Sequence, residues 1–191
     1  AASVPENQPA HRQAIEFTLG ADPEFTVIDN QNSDVSASDF FHGLNTQVGV
    51  DGFSATGEIR PQPGSDEEVS NNIKTLIQQI KERLPEGYSI IGGAGRRNPT
   101  GGHIHFGFSN PSIEFLKALD RFISKPLRRK SSGIRDFQYG KLSAYRGQPH
   151  GFEYRSPCSW IVHPDIAKGV LAISYVLGTL RNSSDVLQSP Q

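Results

Sequence analysis

The sequence predicts an α+β fold: a sheet with helices covering one face and the other left for a functional site. Three observations carry this reading. The 191 residues hold 19 glycines and 13 prolines, above the roughly 12% of an average chain, which favours strands and turns over a helical bundle. Apolar residues recur at helical spacing in three segments. Four further segments alternate charged or imidazole side chains with apolar ones, the period of a strand buried on one face. With roughly 100 to 200 residues expected per domain, the chain is one folded unit.

In chain order, residues 1–14 read as a polar arm, 15–181 as the single domain and 182–191 as a flexible tail. Neither end supplies enough apolar surface to offset the entropy of ordering it. From Glu16 to Thr26 the odd positions are Phe17, Leu19, Ala21, Pro23 and Phe25, and the even row carries Asp22 and Glu24. Such a strand buries the first row and presents the second. In GEIRP, Glu58 and Arg60 flank Ile59. Ser65 followed by Glu68 has the capping-box pattern, and Val69, Ile73, Leu76, Ile77, Ile80 and Leu84 then recur at helical spacing until Pro85. In GGHIHFGF, His103 and His105 flank Ile104. Asn110 and Pro111 start a second helix, with Phe115, Leu119, Phe122 and Ile123 on one face and Pro126 as its end. GFEYR places Glu153 and Arg155 around Tyr154, and a third helix runs from Pro164 through Arg181, burying Ile166, Val170, Leu171 and Leu177.

Composition excludes several classes. Nineteen basic against 20 acidic residues give no whole-chain field toward nucleic acid or anionic lipid. No apolar run approaches the roughly 20 residues of a membrane span, and the N-terminus lacks the charged and apolar regions of a secretory signal. The expectation is a soluble, cytoplasmic protein with neither nucleic-acid nor membrane partners. The lone Cys158 rules out an internal disulfide framework and a cysteine zinc cage, and reads as a buried small residue.

One sheet with a helix-covered back explains all four alternating segments together. Asp22/Glu24 and His103/His105 are then pairs about 6 to 7 Å apart along their strands, a spacing that suits two metal ions roughly 4 Å apart in a phosphoryl-transfer site. The predicted metal ligands are Asp22, Glu24, Glu58, His103, His105 and Glu153. This donor set is oxygen-rich, which favours Mg²⁺ or Mn²⁺ over zinc. Arg60 and Arg155 each stand beside a carboxylate and can grip a phosphate or substrate carboxylate with the guanidinium fork.

The glycine-rich loop from Gly92 to Gly101, with Arg96 and Arg97, lacks P-loop spacing, so a structural loop and a substrate loop both stay open. Arg135, Lys141 and Arg146 lead into the Glu153 strand and are candidates for phosphate binding, against the ordinary reading of a solvated face. His11, His42, His150 and His163 read as unremarkable, and Asp51 reads slightly more as an Asp-Gly turn residue than as part of the acidic cluster.

The ordered set GADPEF, GEIRP, GGHIHFGF and FEYRSP resembles the phage-type COOH-NH2 ligases, relatives of the glutamate–cysteine ligase and glutamine synthetase superfamily, over about residues 15 to 165. The resemblance implies a glutamine synthetase-like catalytic domain, a curved antiparallel sheet on which two or three divalent ions sit between ATP and a carboxylate. It further implies that Asp22, Glu24, Glu58, one of His103 and His105, and Glu153 bind metal. By the same resemblance Arg155 is expected to contact the transferred phosphate; Arg60 is expected as a second catalytic arginine, and Arg146, Lys141 and Arg135 as candidates to join Arg155 around ATP. The implied reaction joins a carboxylate to an amine of an amino acid, peptide or protein side chain through an acyl phosphate. Two other classes remain: a metal-dependent hydrolase or oxygenase using the HxH strand, and a non-catalytic, virion-associated protein on a decayed ligase fold.

Overall fold

The computed structural model describes residues 17–43, 46–130 and 140–183. Arg135, His11, the expected N-terminal arm and most of the expected tail lie outside these residues.

The centre of the fold is β1 (Leu19–Ile28). Its neighbours are β2 (Asp34–Val35), β3 (Val48–Asp51), β4 (Phe53–Ile59), β5 (Ser89–Ile91), β6 (Gly102–Phe106), β7 (Tyr145–Gln148) and β8 (Gly151–Tyr154). These eight form an open antiparallel sheet in the order β3-β4-β1-β6-β8-β7, with β2 and β5 pairing the far end of β1. The first strand begins three residues later than the alternation alone indicates, but its phase is as expected. Leu19, Ala21, Phe25 and Val27 enter the core, and Asp22 and Glu24 stand on the opposite face.

Helices cover the core side. The first, α1 (Asp66–Arg83), opens with the expected capping box: the Glu68 N–H donates to Ser65 Oγ at 3.2 Å, and the Ser65 N–H donates to Glu68 Oε2 at 2.9 Å. These bonds satisfy two of the donors that a helix start leaves unpaired. Val69, Ile73, Leu76 and Ile80 pack onto the sheet. The last, α4 (Pro164–Thr179), carries proline in its first turn and uses His163 as its N-cap, whose Nδ1 accepts from the Asp165 N–H at 3.2 Å.

The second helix departs from expectation. It starts at Ser112, runs as α2 (Ile113–Leu119), passes through a π turn over Asp120–Ser124, and continues as α3 (Lys125–Lys130). Pro126 therefore does not end it. A proline inside an α-helix has no N–H for the carbonyl one turn back, and the wider turn just before it shifts the hydrogen-bond register. That shift also rotates the faces. Phe122, expected in the core, is 44% exposed, whereas Asp120 and Ser124 are buried. Ile166 in α4 is likewise exposed, at 42%, because the core takes Ala167, Val170, Leu171, Ser174 and Leu177 instead.

The buried Asp120 anchors helix to sheet. Its carboxylate accepts from the Tyr154 hydroxyl at 2.6 Å, and from the Ser143 N–H and hydroxyl at 3.0 and 2.6 Å. Ser124 Oγ stands 2.7 Å from the same tyrosine oxygen. Burial first, and the Asp120 charge second, push the Tyr154 hydroxyl well above its ordinary pKa, so it stays a neutral donor. Every buried polar atom of this cluster has a partner, which a buried polar network requires if it is to stabilise.

A candidate metal and phosphate site on the open face

Strand register assembles the site. Glu24 of β1 lies opposite Glu58 of β4, and Asp22 lies opposite His103 of β6. One row further, Gly20, His105, Glu153 and Arg146 succeed one another across β1, β6, β8 and β7. All these residues share the face away from the helices, so five strands supply one surface.

Two groups of ligand atoms result. In each, the atoms lie within 4.8 Å of one another: Asp22, His105 and Glu153 form the first, and Glu24, Asp51 and Glu58 the second. The second is all oxygen and suits a hard cation, and the first adds one imidazole. Asp51 thus belongs to the cluster as well as to its turn, where Oδ1 accepts from the Gly52 N–H at 2.9 Å. The β3–β4 hairpin closes at this residue and folds it back over Glu58, so the turn signal and the site signal are the same residue.

Electrostatics fit the demand for cations. Burial first and the neighbouring Asp22 charge second push the Glu58 carboxyl up to about 8, with Arg60 opposing and Asp51 and Glu24 adding to the rise. Crowded carboxylates resist ionising together unless a positive charge joins them. Asp22 behaves oppositely. Burial would raise it, but the neighbouring His103 and the hydrogen-bonded His105 together outweigh burial and hold it well below the usual carboxylate range. Its Oδ1 is buried without a hydrogen-bond partner, with His103 Nδ1 standing 3.3 Å away. A buried anionic oxygen with an unused lone pair is a ligand atom to spare. These features fit divalent ions at both groups.

Glu153 is 1% exposed and densely bonded. Oε2 accepts from Arg146 Nε at 2.8 Å and Gln148 Nε2 at 2.9 Å, with Arg146 Nη2 at 2.6 Å. Oε1 accepts from Arg155 Nη1 at 2.9 Å, with His103 Nδ1 at 3.2 Å. Arg155 lies just past β8 but keeps strand pairing through its N–H to the Ala144 carbonyl at 2.9 Å.

Arg60 pairs with Glu58 and donates to the carbonyls of Thr46 and Val50 at 3.0 and 2.9 Å. Lys141 has an exposed side chain, and its carbonyl accepts from Ser156 Oγ at 2.8 Å. In the glycine-rich loop, Arg96 bonds the Asn32 carbonyl at 2.9 Å and lies 3.3 Å from Asp34. That residue braces the loop against the β1–β2 turn.

Two glycines make the face possible. A Cβ on Gly101 would stand 2.5 Å from His103 Nε2 and 3.1 Å from Glu24 Oε1. The bare backbone instead donates its N–H to Glu24 Oε2 at 2.8 Å. Gly57, opposite Phe25, leaves room for that ring, which a Cβ would approach to 2.2 Å.

A cleft of about 310 Å³ opens beside the first group, lined by Thr18, Asp22, Arg60, Pro61, His105 and His150 among others. The sequence reading missed His150. Its Nε2 lies 3.0 Å from His105 Nδ1, whose ring in turn reaches Asp22 through Nε2 at 3.1 Å. Burial and the neighbouring His105 charge lower the His150 pKa, against a smaller opposite pull from Glu153. The signal available in the sequence was the two-residue turn Pro149-His150 joining strands that carry Arg146 and Glu153, which returns the histidine to the same end of the sheet.

No helix among the described residues is long and apolar enough to cross a membrane. No curated protein matches the chain. Residues 19–188, nearly the whole described fold, match the family described as phage phiEco32-like COOH.NH2 ligase-type 2, and with that extent of match the chain belongs to this family of COOH.NH2 ligases.

Proposed function

We propose that the protein joins a carboxylate to an amine at the expense of ATP, passing through an acyl phosphate, with divalent ions on the open face of the sheet. The observation that carries this is the pair of ligand groups across adjacent strands, with the guanidinium forks of Arg146 and Arg155 both on Glu153. Glu24, Asp51 and Glu58 would hold one Mg²⁺ or Mn²⁺, and Asp22, His105 and Glu153 another. When bound, such ions neutralise phosphate charge and orient the reacting oxygens.

The chain's own residues then have distinct tasks. His103 braces Asp22 and Glu153 from between them, fixing the spacing of the first group. Arg155 and Arg146 are held by Glu153 at the edge of the site, where a fork can meet the transferred phosphoryl oxygens and follow their charge into the transition state. Arg60, tied to Glu58 and two carbonyls, keeps its charge at the rim of the cleft, where it favours an anionic substrate. Lys141 and Arg135 remain candidates for ATP contact from the segment leading into β7. In the reaction itself, a substrate carboxylate oxygen attacks the γ-phosphorus and the bond to the β-phosphate oxygen breaks, releasing ADP. The amine nitrogen then attacks the acyl carbon, inorganic phosphate leaves, and the amine loses a proton.

Hydroxylamine tests the acyl phosphate. In place of the amine it should give a hydroxamate, with ADP formed in step, when the protein, Mg²⁺, ATP and a panel of amino acids, peptides and proteins are combined. ADP release without hydroxamate, or failure across the panel by protein shown to bind ATP and Mg²⁺, would remove the ligase chemistry and leave the fold assignment intact.

A further inference from the structure

We propose that α4 is the seam of an antiparallel homodimer formed on the back of the sheet. The apolar arc of this helix is wider than the fold covers. At about 100° per residue, Ala167, Val170, Leu171, Ser174 and Leu177 span the side that faces the core. Next to that side, Ile166, Gly169, Ile173 and Val176 fall within about 80° of arc. In the folded protein Ile166 is 42%, Ile173 38% and Val176 55% exposed. Their spacing of three, four and three residues is that of a coiled-coil seam, and an apolar stripe left uncovered on a helix marks an interaction surface.

The stripe is complementary to itself when one copy is turned about a twofold axis near position 171. Ile166 then meets the partner's Val176, and Gly169 meets the partner's Ile173. Gly169 has open space where a Cβ would stand and a backbone conformation open to any residue, so the larger side chain seats where the small residue leaves room. The parallel alternative pairs each residue with its own copy. It would leave a void at Gly169 and set Asp165 against the partner's Asp165, whereas the antiparallel pair places the two Asp165 side chains at opposite ends of the seam and opposes the two helix dipoles.

A single helix seam is smaller than the roughly 1,200 to 2,000 Å² of a standard stable interface, so the dimer is reversible and depends on concentration. Because α4 packs on the covered face, both copies keep their open faces free. The inference does not depend on the proposed reaction.

Sedimentation of the full chain over a concentration series reads the association directly, with mass rising from one chain to two. Ile173→Asp should weaken the dimer by at least tenfold while the separated chain keeps its helical content, read by circular dichroism. Register is read by disulfide trapping, for which the one native cysteine, Cys158, is buried and silent. Gly169→Cys/Ile173→Cys should cross-link efficiently, and either single variant should not. A monomer at every concentration, a dimer indifferent to Ile173→Asp, or single variants that cross-link as well as the double would each overturn the proposal.

Discussion

Glu58→Gln isolates the electrostatic load of the site. The Glu58 carboxyl is pushed from an ordinary 4.5 to about 8, chiefly by burial and then by Asp22, with Asp51 and Glu24 adding to it and Arg60 opposing. Between those two values the folded protein keeps a proton that the unfolded chain has lost. Stability therefore falls as pH rises from about 4.5 through about 8, and the loss is complete only above the folded value. At about 1.4 kcal/mol per pH unit, the ceiling on this loss is about 5 kcal/mol, a large share of the roughly 5 to 15 kcal/mol that holds a domain folded. Glutamine keeps the size and removes the titration. Denaturant unfolding in chelator at pH 5, 7 and 9 should give curves that coincide at low pH and separate by several kcal/mol at pH 9, with the variant the more stable. Taking the difference cancels every other titrating group. Addition of Mg²⁺ at pH 7 should then release close to one proton from the parent and almost none from the variant, counted by calorimetry in buffers of different ionisation enthalpy. Parallel stability curves, or equal proton release, would refute the idea that crowded carboxylates await a cation here.

Glu153→Gln removes the charge that two arginines and His103 converge on; Mg²⁺-dependent ATP binding should weaken by at least tenfold, and unchanged affinity by calorimetry would count against the first ligand group. Arg155→Lys keeps the charge but loses the fork, so kcat should fall roughly 10- to 100-fold while KM for ATP rises less; normal turnover would take Arg155 out of the chemistry. Asp120→Ala removes the acceptor shared by the buried Tyr154 hydroxyl and the part-buried Ser143 hydroxyl, leaving Tyr154 only Ser124, and should cost about 2 to 4 kcal/mol. Combined with Tyr154→Phe in a double-mutant cycle, the two losses should be clearly non-additive, and simple additivity would show that the bond between them contributes little.

The site was legible in the sequence where side-chain alternation alone fixes a face. Asp22, Glu24, Glu58, His103, His105 and Glu153 all sit on strands, and a period of two sends each to the open side without knowledge of its partners. What alternation cannot supply is the order of strands. That Arg146 and Gln148 land on Glu153, and that Asp51 folds over Glu58, depends on hairpin register and a turn, and His150 enters from a hairpin tip with no periodicity of its own. Helix faces were less secure for a related reason. One π turn displaces every later residue of its helix, so Phe122 went outward while Asp120 and Ser124 turned in. Ile166 was misplaced because α4 carries more apolar surface than one core can use, and the pattern does not say which part of a wide stripe is covered.

Register joins the fold and the site into a single constraint. A slip of β1 by one residue would send Asp22 and Glu24 into the core and bring Ala21 and Phe25 to the open face. Several features oppose that slip, and each also serves the site. Phe25 fits only opposite Gly57, which sits beside Glu58. Leu19 exchanges both backbone hydrogen bonds with Gly64, at 2.8 and 2.9 Å, just before the α1 capping box. The Gly102 carbonyl accepts from Trp160 Nε1 at 2.8 Å, packing that places an indole where a Cβ would otherwise stand and so holds the strand that carries His103 and His105. The residues that hold the strands in register are thus sequence neighbours of the residues that would hold the metal. It follows that the order of the four short motifs along the chain, and not the strength of any one of them, is what encodes the site.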